Sequence, residues 1–92
     1  MSTSPAAHLD AVLANVDAGL DQSLERLYAL LRIKSISTDP AYKAECQRAA
    51  DWIVGELGGI GFDATAHATP GHPVVWAKGP AQDGPHVLFY AH

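Results

Sequence analysis

The N-terminal third of the chain repeats apolar residues with the period of an α-helix. From Leu9 onwards, apolar side chains recur at intervals of three and four residues, with polar and charged residues between them. This spacing places the apolar side chains on one helical face. Ser4 and Pro5 can supply the N-cap and the first helical residue. The pattern predicts helix over residues 4–34, as one helix or as two, since Gly19 lies inside it and costs about 1 kcal/mol relative to alanine.

A second helix is predicted after a polar break. Asp39 can cap it and Pro40 can be its first residue. The prediction covers residues 40–59, and the glycines of "GGIG" can end the helix. Phosphate-binding glycine loops follow a strand and open a helix, whereas these glycines follow a helix, so a helix cap is favoured over a nucleotide loop. The apolar stripe of this helix consists of Cys46, Ala49, Ala50, Ile53 and Leu57.

Beyond the second helix, the apolar residues recur every second residue, as in a strand, and no longer with the helical period of about 3.6 residues. The alternation in "FDATAHAT" predicts a half-exposed strand over residues 62–69. The turn "PGHP" leads to a second strand over residues 73–78, and "GPAQDGP" is a loop. "HVLFYA" is apolar after its histidine, as in a central strand covered on both faces, and predicts a third strand over residues 86–91. The order of two N-terminal helices followed by three strands predicts an α/β fold with a mixed sheet.

Charge and composition exclude several classes of partner. Ten acidic side chains against six basic ones give a formal charge of −4, so no basic patch is available for nucleic acid or an anionic membrane. No apolar run is long enough to span a membrane, and the start lacks the features of a signal peptide, so we expect a cytoplasmic protein. Cys46 is the single cysteine, which excludes an intramolecular disulfide. Its place on the apolar stripe favours a buried position over a role as nucleophile.

His92 is the histidine with the most suggestive position. It follows the most hydrophobic predicted strand, and ligands of open α/β sheets bind beyond the carboxyl ends of strands. A neutral imidazole on a rigid support suits a metal ion. The residue types alone leave two alternatives, a metal ligand or a terminal histidine without a role. The remaining histidines lie on predicted polar surfaces or beside turns, where bystanders are expected: His8, His67, His72 and His86.

Four stretches carry a resemblance to a known family. They are, in order, "LERLYALLRIKSIST", "AADWIVGELGGIGFDA", "TPGHPVVWAKGP" and "HVLFYAH". Together they resemble the N-terminal segment of the co-catalytic zinc metallopeptidase family, which includes carnosinase-like dipeptidases, carboxypeptidase G, acetylornithine deacetylase and succinyl-diaminopimelate desuccinylase. The likeness runs from about residue 20 to the end and is closest to the dipeptidase branch. In that family an apolar strand leads to Gly-His, one further residue and Asp, and the histidine is the first metal ligand.

The resemblance implies a function for the complete protein. Residues 1–92 would be the N-terminal part of a metallopeptidase catalytic domain, with His92 as a metal ligand and no catalytic residue within the chain. The family binds two zinc ions, for which cobalt or manganese can substitute, and hydrolyses dipeptides or N-acyl amino acids. Zinc polarises the amide carbonyl and supplies the nucleophile, and a glutamate acts as general base. A homodimer of the full-length protein is left open.

The chain departs from the family pattern at two points. Ala91 stands where the family usually has glycine, and the acidic ligands and later histidine of the family are not among these residues. Because each zinc needs about four ligands, we expect this chain alone to be inactive and to bind zinc weakly or not at all. The alternative is a noncatalytic α/β module that binds a protein partner through an exposed strand edge. A ferredoxin-like regulatory domain fits less well, because its βαββαβ order differs.

Overall fold

The computed structural model describes residues 5–92 and contains helices in its first two thirds and one β-hairpin after them. Two 3₁₀ turns, Pro5–His8 and Pro40–Tyr42, each lead directly into an α-helix. The regular elements are α1 (Leu9–Ala18), α2 (Leu20–Arg32), α3 (Lys43–Gly59), β1 (Asp63–His67) and β2 (Val74–Lys78).

Gly19 divides the first predicted helical region into α1 and α2. Its backbone has φ −96° and ψ 3°, outside the α-helical region, although its N–H still donates to the Asn15 carbonyl at 3.0 Å. A Cβ at this position would lie 3.3 Å from that same carbonyl oxygen, so the local geometry suits glycine. The region is therefore two helices, and it ends at Arg32, slightly before the predicted end. The predicted N-cap Ser4 lies outside the described residues.

The predicted second helix is capped at both ends, but its first residues, Pro40–Tyr42, form a 3₁₀ turn and α3 begins at Lys43. Asp39 accepts a hydrogen bond from the Ala41 N–H at 2.9 Å and so caps the 3₁₀ turn that leads into the helix. At the other end, Gly61 takes the left-handed φ of +95°, and the Phe62 N–H donates to the Leu57 carbonyl at 3.0 Å. This is the bonding of a glycine-terminated helix. The interpretation of "GGIG" as a helix end is confirmed.

The two strands form an antiparallel hairpin packed on α3. Both predicted strands are present in shortened form. The alternation of exposure predicted for the first strand is confirmed, and β2 alternates in the same way. One face of the hairpin is half-buried, and the opposite face, which carries Trp76, is exposed. The register pairs Asp63 with Lys78, Ala64 with Ala77, Thr65 with Trp76, Ala66 with Val75 and His67 with Val74.

The prediction of a third strand over residues 86–91 is wrong. This segment forms neither strand nor helix, and Val87 to Tyr90 are 72 to 89% exposed. A strand exists only while its backbone groups pair with a neighbour, and within residues 5–92 this segment has no such neighbour. The sheet is therefore a two-stranded antiparallel one and not a mixed one. The α/β expectation holds in the coarser sense that helices and a small sheet are combined.

The buried core is small. Among the described residues, the buried side chains are Ile33, Cys46, Ala49 and Ala50, and three of these four lie on α3. The predicted burial of Cys46 is confirmed. The radius of gyration is 16.6 Å, whereas a compact domain of this length has one of about 12 Å. The molecule is extended because α1 packs mainly against its neighbours in sequence and leaves its apolar face largely exposed.

No helix in the described part of the chain combines the length and the apolar character needed to cross a membrane. This finding agrees with the absence of a long apolar run in the sequence.

The small side chains of α3 allow its close packing, and this can be tested at Ala50. We expect Ala50→Leu to lower the free energy of unfolding by about 1–3 kcal/mol, because added volume at a packed position strains its surroundings. Ala44, which is exposed on the same helix, is the matched control, and Ala44→Leu should change stability by less than about 0.5 kcal/mol. Urea unfolding followed by circular dichroism measures both. Equal effects at the two positions would contradict this packing.

Candidate functional site

His92, the predicted metal ligand, lies in the exposed segment that follows the hairpin. Its Nδ1 is 3.3 Å from the Tyr90 hydroxyl, and both side chains are exposed. At this distance the hydroxyl and the ring nitrogen form a weak hydrogen bond. The rigid strand that was expected to support His92 is not formed. The imidazole is therefore accessible to a metal ion, but the backbone does not hold it in one direction.

His92 does not belong to a complete set of metal ligands in the described structure. Across residues 5–92, no group of three or more His, Cys, Asp or Glu side chains is arranged to hold a metal ion. Structural zinc sites use four protein ligands and catalytic ones at least three. The His92 imidazole therefore fits a contribution to a metal centre, whereas these residues do not form a complete centre.

The other histidines differ from one another. His8, His67 and His86 are exposed, as expected for bystanders. His72 departs from this expectation, because its Nε2 lies 2.8 Å from the Ser37 carbonyl oxygen, a contact between residues 35 apart in sequence. It joins the turn between β1 and β2 to the loop between α2 and α3.

The turn that carries His72 is closed by a threonine. The Thr69 hydroxyl donates to the His72 carbonyl at 2.6 Å and accepts from the Gly71 N–H at 3.1 Å. Hydroxyl side chains commonly close turns by bonding backbone groups two or three residues away. The turn therefore presents the His72 ring in a defined direction. The sequence signals this turn through "TPG", but the partner of the ring depends on the tertiary fold.

The contact with Ser37 assigns a role to one ring nitrogen of His72. A carbonyl oxygen only accepts hydrogen bonds, so Nε2 carries a hydrogen and donates. The other ring nitrogen, Nδ1, is buried without a hydrogen-bond partner. We infer a structural role for the ring, because its one accessible polar interaction is already made with backbone.

Two open grooves flank α3. One, of about 610 Å³, lies between the start of α3 and the hairpin turn and is bordered by Lys43, Gln47 and His72. The other, of about 600 Å³, lies between α2 and α3 and is mainly apolar, with Leu27 and Trp52 in its wall. The first groove contains the Thr69 hydroxyl and the His72 ring, but both already hydrogen-bond to backbone carbonyl oxygens. The second groove contains one carboxylate, that of Glu56, and not the pair that acid–base catalysis by carboxylates requires.

Comparison with known proteins identifies no relative. No protein-family model matches the chain, and no curated protein or solved structure matches it either. The assignment to the zinc metallopeptidase family therefore stays a prediction from the four stretches of sequence.

The His72–Ser37 hydrogen bond is expected to stabilise the fold. Replacing the ring by His72→Ala should lower the free energy of unfolding by about 1 kcal/mol, the usual net value of such a bond. His72→Gln should lose less, since the glutamine amide can still donate to the carbonyl. As a control, His67→Ala on the exposed face of β1 should stay within about 0.5 kcal/mol. Urea unfolding measures the free energy of unfolding of each variant. An equal decrease for His72→Gln and His72→Ala would contradict a stabilising contribution from this hydrogen bond.

Proposed function

We propose that the chain is the N-terminal part of a zinc-dependent hydrolase that cleaves amide bonds in dipeptides or N-acyl amino acids. The observation that carries this proposal is the succession of four family-like stretches that ends with an apolar run and His92. Three of the four stretches contain helices or strands where the family resemblance implies them, whereas the fourth, residues 86–92, forms no strand. The first stretch begins in α2 and continues into the loop after it, the second runs from α3 into β1, and the third contains β2.

In this proposal His92 supplies one imidazole to a metal centre whose remaining ligands come from other parts of the complete enzyme. Zinc, when bound, would polarise the amide carbonyl and supply a hydroxide nucleophile at neutral pH. The contribution of this chain is to hold His92 in position. For that, residues 86–91 must pair as a strand, which fixes the direction of the side chain.

Strand geometry explains why the family places an aspartate two residues after this histidine. Side chains at positions i and i+2 lie on the same face of a strand, so the carboxylate can accept a hydrogen bond from the ring nitrogen that does not bind metal. Such partners are worth about 10–100-fold in metal affinity or activity. The single contact from Tyr90 to Nδ1, at 3.3 Å, is a weaker support for the ring.

The second candidate is a noncatalytic module that binds a protein partner by strand addition. The exposure of Val87 to Tyr90 favours it, because an apolar, extended segment without backbone partners can pair with another strand. The encoding reading frame separates the two candidates. The hydrolase proposal expects any residue and then Asp directly after His92, followed by a long α/β sequence, whereas a stop codon at that point would exclude catalysis by this product.

The enzyme proposal predicts a metal-dependent activity that requires His92. In the protein translated from the longer frame, a chelator should abolish hydrolysis of small dipeptides, and zinc should restore it. We expect His92→Ala to lower kcat by at least about 100-fold, because one metal ligand is lost. Steady-state kinetics, together with metal analysis of the purified protein, measure both effects.

His86 provides the matched control for this experiment, since it is an exposed histidine at the other end of the same apolar run. His86→Ala should leave kcat and the zinc content close to those of the unsubstituted protein. If His92→Ala keeps both its zinc and its activity, His92 is not a ligand and the proposed role is wrong.

A further inference from the structure

We draw no further inference here: the strongest candidate, the groove at the N-terminal end of α3 that Lys43, Gln47 and His72 border, rests on a helix N-terminus and a single lysine with no second observation that points to a ligand, since the His72 Nε2 and the Gln47 amide already make hydrogen bonds to other groups of the chain.

Discussion

The close packing of α3 on the β-hairpin is the interaction on which the rest of this structure depends. The buried side chains of α3 are Cys46, Ala49 and Ala50, and the half-buried face of the hairpin is likewise mostly alanine. Small side chains on both sides allow a helix and a sheet to approach closely, but they remove little apolar surface from water, and burial contributes roughly 25 cal/mol per Å². The arrangement is therefore specific but weakly stabilised. The cap at Asp39 and the contact from His72 to Ser37 add local and long-range hydrogen bonds to this packing.

Local patterns predicted the elements whose stabilising interactions are local. The period of the apolar stripe, the cap at Asp39 and the glycines after Leu57 together define α3, and all of these signals lie within or beside the helix itself. The period-2 alternation likewise predicts which face of the hairpin is half-buried. Gly19 signalled a break in the first helix, but its spacing alone could not decide between one helix and two.

Features that depend on distant partners could not be predicted in this way. Residues 86–91 have the composition of a buried strand, yet a strand requires a neighbour, and composition does not supply one. His72 looked like a bystander because its partner, Ser37, is separated from it in sequence by all of α3 and β1. His92 combines both problems. Its residue type and position indicate a ligand, whereas a metal centre is defined by several side chains that the fold must bring together, and residues 5–92 bring no three of them together.

We propose that His92 is one ligand of a metal centre whose other ligands lie outside residues 5–92. Isothermal titration of zinc into the purified 92-residue chain tests this role most directly. We expect no saturable binding in the submicromolar range, because one imidazole cannot replace the three or four ligands of a zinc site. Stoichiometric submicromolar binding that disappears in His92→Ala would contradict it, since the chain would then contain a complete site.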